Sequence, residues 1–183
     1  SKISVLIHPM NQGIANEHPL IDTIHTLNVN QEKKNKSIIE TIKNIKQENY
    51  DIYINLFNNP WGAYIGLLSK IPIRVGDRTN LLLRFLFTHT IKQPWENLLT
   101  HEIQFNLNYI KPLSNENINP ILKLYTNPQE DQKAKILYKN NQEKLQKTIA
   151  IFCSTGGSNH PIEENTLYNS LLILLKSDKY FIV

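Results

Sequence analysis

Ile149-Ala150-Ile151-Phe152, followed by Cys153-Ser154-Thr155-Gly156-Gly157-Ser158-Asn159-His160-Pro161, decides the fold. The four apolar residues predict a buried strand. The small polar loop after them lets backbone approach a ligand closely, and a helix opening beyond it can aim its N–H groups at a phosphate. Tyr180-Phe181-Ile182-Val183 then has the composition of an interior strand in a parallel sheet. Strand, helix, strand is the repeating unit of an α/β fold. The chain stops at this second strand, so the expectation is a domain that has only begun.

Working back toward Ser1, the same alternation recurs. Ile3 to Ile7 predicts a strand stopped at His8-Pro9, with a helical turn or two around Gln12 to Glu17 and a second strand over Ile21 to Leu27. Ser37 is expected to cap a helix whose Ile38, Ile39, Ile42 and Ile45 share one face. Asp51 to Leu56 predicts a third strand, with Ile52 and Ile54 packing one way and Tyr53 the other. A short helix from Ala63 to Ser69 and the strand Ile73-Arg74-Val75, ending at Gly76, complete a βαβ unit with parallel strands. Leu81 to Phe87 and His101 to Ile110 read as helices, Lys123 to Tyr125 as a short strand, and Pro128 as the start of a charged helix reaching about Gln146.

Composition narrows the class. The 183 residues are 40% hydrophobic, enough for one sizeable domain or a small domain and part of another. A formal charge of +4 is modest, and the lysines are scattered among asparagines rather than gathered in a block. That argues against nucleic acid and suits an anionic substrate or a membrane surface equally well. One cysteine excludes an internal disulfide and fits a reducing cytoplasm. No apolar run reaches the roughly 18 residues of a membrane span.

Candidate site residues follow from position. Ser154 and Thr155 carry hydroxyls for phosphate oxygens, with Gly156 and Gly157 exposing backbone N–H groups; the competing reading is an ordinary strand-to-helix turn. Gly156-Gly157 does not complete a Walker or dinucleotide fingerprint. Ligands of open α/β sheets sit at strand C-termini, which selects Asn58, Asn59 and Trp61 after the third strand, and Asp77 and Arg78 around Gly76. Arg78, Arg84, His89 and Lys92 can together meet an anionic sugar or phosphate, or form a scattered solvated face. Trp61 and Trp95 can stack on sugar or belong to the core. His8 and His25 read as structural, since no second ligand stands at metal-binding spacing, and Cys153 reads as packing.

Five segments in order resemble the bacterial heptosyltransferases of glycosyltransferase family nine, which build the lipopolysaccharide inner core from ADP-heptose. Asn16-Glu17-His18-Pro19-Leu20-Ile21-Asp22-Thr23-Ile24 resembles that family's "NPYIDEII" segment, and Glu48-Asn49-Tyr50-Asp51-Ile52-Tyr53-Ile54-Asn55-Leu56 its "YDVVIDL" strand. Ile73-Arg74-Val75-Gly76-Asp77-Arg78 is similar to "RIGF", and His101-Glu102-Ile103 with Asn106-Leu107 to "HEVERNL". Ile149 to Glu164 resembles the strand, "TT" turn and "KHWPEE" helix start.

The resemblance implies an α/β protein of GT-B type with Rossmann-like parallel sheets. An acceptor-side domain would cover 1–125 without its first strand and helix, a linker helix 126–147, and the start of a nucleotide-sugar domain 148–183. It implies inverting transfer of heptose from ADP-heptose to the lipopolysaccharide core, with no cofactor and no metal, in the cytoplasm with peripheral association at the inner membrane. Donor contacts would come from Ser154, Thr155, Gly156, Asn159 and His160, and acceptor contacts from Asn58, Arg78 and Lys92. Asn159 stands where the family carries a phosphate-binding lysine, and an amide cannot neutralise a diphosphate; a protonated His160 can supply charge beside it. Because Ile3 to Ile7 resembles the family's second strand, the general-base aspartate is expected before Ser1 and this chain alone is expected to be inactive. The alternatives are a non-catalytic remnant of the fold or a nucleotide-binding module of another Rossmann-like family.

Overall fold

The computed structural model describes residues 1–28, 34–56, 59–93, 101–114, 116, 118–141, 147–149, 151, 162–176 and 180–182. These fall into two compact units, Ser1–Tyr125 and Thr126–Val183.

In the first unit, β1 (Ser4–Ile7) lies parallel to β2 (Thr23–Thr26), with Ser4 opposite Thr23 and Ile7 opposite Thr26. A 3-10 turn over Pro9–Asn11 and the short helix α1 (Gln12–Asn16) connect them. A second sheet has the order β3 (Ile52–Ile54), β4 (Ile73–Asp77), β5 (His89–Ile91), all parallel. Parallel neighbours need crossovers, and α3 (Pro60–Leu68) supplies the one between β3 and β4, as the βαβ reading requires.

The core forms where α2 (Lys34–Gln47) and α3 meet the sheets. Ile38, Ile45, Ile65 and Ile71 are buried together, with Leu6, Leu27, Ile42, Tyr50, Tyr53 and Trp61 packed around them. Ile39 is not part of this face: it is 56% exposed. Ile38, Thr41 and Ile45 follow the 3-4-residue period of a stripe that Ile39 lies beside, so adjacency to Ile38 turns it outward. The helix also starts before Ser37, at Lys34, so Ser37 is not its cap.

The end of α3 is fixed by a Schellman pair. Lys70 N–H donates to the Leu67 carbonyl (2.9 Å) and Ile71 N–H to that of Gly66 (3.4 Å), with Lys70 at φ 60° and Ile71 only 2% exposed. The start is fixed by Asn59, whose Oδ1 accepts from Trp61 N–H (2.9 Å), and by Pro60 at the first helical position. The helix therefore begins three residues ahead of Ala63.

Between β4 and β5 the expected helix over Leu81 to Phe87 shrinks to a 3-10 turn, Leu83–Leu86. Asn80 Oδ1 accepts from the N–H groups of Leu82 (3.0 Å) and Leu83 (3.3 Å), tightening the entry, and Thr88 N–H donates to the Arg74 carbonyl (2.8 Å), drawing the chain into β5. β5 itself is unanticipated, because His89-Thr90-Ile91 is too short and polar to read as a strand. Helix α4 (Glu102–Asn108) starts at His101, whose Nδ1 accepts from Ile103 N–H. It is tied to the exit of β5 through Gln93, which donates to the Phe105 carbonyl (2.6 Å) and accepts from Asn108 Nδ2 (3.1 Å). Lys123 to Tyr125 forms no strand; Tyr125 instead packs edge-on against His18 at 4.9 Å between ring centroids.

Among the described residues β1 pairs only with β2 and β3 only with β4. Both strands line a largely apolar cavity of about 330 Å³, together with Tyr50, Ile71 and Leu113. A polar chain ties Tyr50, just ahead of β3, to the β1–β2 sheet: its hydroxyl donates to Ser4 Oγ (2.7 Å) and bonds His25 Nε2 (3.0 Å).

The second unit holds α5 (Pro128–Asn141), capped by Asn127, and a βαβ element. Here β6 (Lys147–Ile149) is parallel to β7 (Tyr180–Ile182) and α6 (Glu164–Lys176) lies between them in sequence. The strand-helix-strand order expected from Ile149 to Val183 holds, but the expected strand Ile149 to Phe152 is displaced: β6 ends at Ile149, Ile151 is in no strand, and Ala150 and Phe152 lie outside the described residues. The end expected for α5, about Gln146, lies outside the described residues.

Candidate functional site

The C-terminal ends of β1, β2 and β3 converge on a cavity of about 500 Å³. Apolar residues of β1 and β3 bring the backbone there, and both strands turn polar as they leave the sheet, Ile7 giving way to His8 and Ile54 to Asn55, while the end of β2 contributes Leu27. The N-terminus of α3 closes the opposite side with Asn59, Trp61 and Gly62. This is where open parallel sheets bind ligands.

The polar lining consists of His8, Asn11, Asn55 and Asn59. Asn55 is 8% exposed and its backbone N–H still donates to the Val75 carbonyl (2.9 Å), so its amide is presented from a rigid strand end. Gly62 makes room for that amide: a β-carbon there would collide with Asn55 Oδ1. His8 uses Nδ1 to accept from Met10 N–H (3.2 Å), which fixes the proton of the neutral ring on Nε2. Asn59 is held in place by its capping bond to Trp61.

The apolar lining includes Leu6, Ile7, Tyr53, Trp61 and Ile65. Trp61 is half-buried, packs against the isoleucine core and lies 6.5 Å from the ring of Tyr64. Tyr53 lies over Gly66, where a β-carbon would come within 2.6 Å of its ring, and burial pushes its phenol up to about 12. Amides that both donate and accept, an imidazole and aromatic faces form a lining suited to a neutral polyhydroxylated ligand. The described lining residues include no carboxylate.

Of the acceptor residues expected from sequence, Asn58 lies outside the described residues. Arg78 and Lys92 are brought together by register: Asp77 pairs with Ile91, Arg78 N–H donates to the Ile91 carbonyl (2.8 Å), and both cations are exposed directly after these partners. They stand at the C-terminal ends of β4 and β5 and do not line the cavity. Asp77 is no surface ligand. It is 1% exposed inside β4, and its Oδ1 accepts from Thr79 N–H (2.9 Å) and Oγ1 (2.7 Å). The donor candidates Ser154, Thr155, Gly156, Asn159 and His160, with Cys153 and Trp95, lie outside the described residues.

His8, Asn11 and Asn55 are absent from the candidate acceptor residues read from the sequence, although a polar residue closing an apolar strand marks Asn55 in Tyr53-Ile54-Asn55. His25 is structural, as expected: it bonds Tyr50 and is lowered in pKa by burial, an effect that Glu48 opposes and Lys2 reinforces. Among the described residues no group of three or more His, Cys, Asp or Glu is placed to hold a metal.

No protein-family description and no curated protein matches the sequence. Solved structures do. The glycosyl transferase family 9 protein from Veillonella parvula DSM 2008 matches over 100% of this chain and 52% of its own, with TM-score 0.72 and 18% identity. The E. coli ADP-heptose LPS heptosyltransferase II matches over 99% of this chain and 54% of its own, with TM-score 0.67 and 14% identity. The chain therefore has the parallel α/β architecture of GT-B glycosyltransferases and spans about half the length of these structures.

Proposed function

We propose that this chain is the acceptor-side part of a family-nine-type glycosyltransferase, carrying the opening elements of the donor side, in an enzyme that moves heptose from ADP-heptose to the lipopolysaccharide inner core. The observation that carries the reading is the cavity at the ends of β1, β2 and β3, lined by three amides, His8 and Trp61 in a fold shared with glycosyltransferases. Its amides hold acceptor hydroxyls, the indole of Trp61 packs on a sugar face, and Arg78 and Lys92 receive a phosphate or carboxylate further along the acceptor.

In an inverting transfer a carboxylate takes the proton of the acceptor hydroxyl as that oxygen attacks the anomeric carbon, and the nucleotide diphosphate departs with its bonding electron pair. No carboxylate is among the described residues lining the cavity, and the roles assigned to those residues are binding and orientation of the acceptor. Among the described residues β1 pairs only with β2 and β3 only with β4, and both strands line one apolar cavity. Ser154, Thr155, Gly156, Asn159 and His160 are assigned to the donor diphosphate.

Calorimetric titration with a heptose-deficient core oligosaccharide, and separately with ADP, tests the proposal. The expected result is saturable heat with the oligosaccharide that weakens about tenfold in Asn55→Ala and in Trp61→Ala. No heat with the oligosaccharide would overturn it. In that case silence with ADP as well would favour a non-catalytic remnant, to which Asn159 in place of a lysine already points, and tight binding of another nucleotide would favour a regulator.

A further inference from the structure

The strand ends that meet at the cavity of about 500 Å³ come from stretches of sequence without charge. Aspartate, glutamate, lysine and arginine make up 20% of the chain. None occurs from Ile3 to Asn16, from Thr23 to Gln31 or from Ile52 to Ser69. These three stretches supply every described residue of the lining. An ionised group entering this space would exchange water for partners that carry no countercharge, and a charge buried that way is strongly disfavoured.

The feature best able to offset that penalty is the N-terminus of α3, because helix N-termini attract anions through free N–H groups and the helix dipole. In α3 those groups are engaged internally. Pro60 has no N–H, the Trp61 N–H donates to Asn59 Oδ1 (2.9 Å), and the Ala63 N–H donates to the Asn59 carbonyl (3.3 Å). His8 supplies no cation either. Its Nδ1 accepts from Met10 N–H (3.2 Å), a bond that the doubly protonated ring cannot make. The lining therefore meets a ligand with neutral groups, the amides of Asn11 and Asn55 and the Nε2–H of His8, beside the aromatic face of Trp61. Such groups pair with hydroxyls, which donate and accept in turn, and leave a carboxylate or phosphate without a countercharge.

We infer that the cavity selects by charge, admitting an uncharged sugar ring and refusing one that bears a carboxylate or a phosphate. The acceptor ring seated at the ends of β1, β2 and β3 is then neutral, and every anionic group of the acceptor stays outside the cavity. The inference rests on the glycosyltransferase reading of this cavity and narrows its acceptor to one class.

A matched series on one ring tests it: methyl mannoside, its 6-carboxylate and its 6-phosphate. Each competes at about pH 8, where imidazoles are neutral, with the heptose-deficient core oligosaccharide bound to the full chain, and saturation-transfer NMR reads the displacement. The expected result is displacement by the neutral glycoside, with the two anionic rings weaker by about tenfold or more at low and high salt alike. The Asn11 side chain makes no capping bond to α1, so Asn11→Lys brings a cation to the lining without removing a cap. It should shift the preference roughly fivefold toward the anionic rings. If that variant loses its native circular dichroism, the series on the parent decides alone. Anionic rings that compete as well as the neutral one would overturn the inference. So would an oligosaccharide that binds but yields to no neutral ring, since its charged part would then fill the cavity; in that case the glycosyltransferase reading stands and only the selection by charge is lost. A chain that binds neither the oligosaccharide nor any of the three rings would sink both.

Discussion

The side-chain amide of Asn55 occupies the space that a β-carbon on Gly62 would need. This one contact joins the end of β3 to the first turn of α3 and shapes one wall of the cavity. Gly62→Ala is expected to displace the amide, destabilise the fold by about 1–3 kcal/mol and weaken oligosaccharide binding. In an Asn55→Ala background the same substitution should cost clearly less, and the non-additivity measured by denaturant unfolding of the four proteins checks the contact.

Lys70 holds a left-handed backbone at φ 60° to complete the Schellman turn after α3. Glycine takes that conformation without the β-carbon penalty, so Lys70→Gly should raise stability by about 0.5–1 kcal/mol. A thermal melt that moves down instead would show that the lysine stem contributes more than the backbone strain costs.

Tyr53 should titrate late. Its phenol is pushed up to about 12 by burial, against an ordinary value of 10.0. Between these values the unfolded chain has lost the proton that the folded chain retains, so this residue's contribution to stability is present below pH 10 and fades as pH rises toward 12. Spectrophotometric titration of the parent and Tyr53→Phe should differ by one late-ionising tyrosine.

His25 works in the other direction. Its folded pKa lies below 6.5, chiefly because burial disfavours the charged ring. The unfolded chain therefore takes up the proton first as pH falls below 6.5, and stability drops through that window to the folded value. His25→Gln should flatten the acid limb of a stability-versus-pH curve. Tyr50→Phe, which removes the bridge to Ser4 and His25, should cost about 1–2 kcal/mol near neutral pH.

The strand-helix-strand order and the parallel sheets were legible because they rest on local signals: apolar runs of four or five residues, a proline and a glycine at element ends, and isoleucines at helical spacing. Ile38 and Ile45 could be read as core from periodicity alone, whereas the exposure of Ile39 depends on which side of α2 meets the sheet. β5 was hidden because His89-Thr90-Ile91 becomes a strand through its bonds to β4, not through its own propensity. The segment Leu81 to Phe87 misled for the same reason. Its apolar content suggested a buried helix, while the Asn80 turn and the grip of Arg74 and Phe87 on β4 leave room for a single 3-10 turn.

The site divides along the same line. The rule that ligands gather at strand C-termini was enough to select Asn59 and Trp61, and both line the cavity. It also selected Asp77, which burial and Thr79 convert into a structural turn residue, and it passed over His8, Asn11 and Asn55. What the sequence by itself determined is the class of fold and the ends of strands where polar residues collect, since both follow from interactions between near neighbours in the chain. Tertiary structure alone decided that the ends of β1, β2 and β3 share one cavity, that Arg78 stands beside Lys92, and that Leu82 and Phe85 face water. Those relations are set by register and packing between residues far apart in sequence, and no local pattern encodes them.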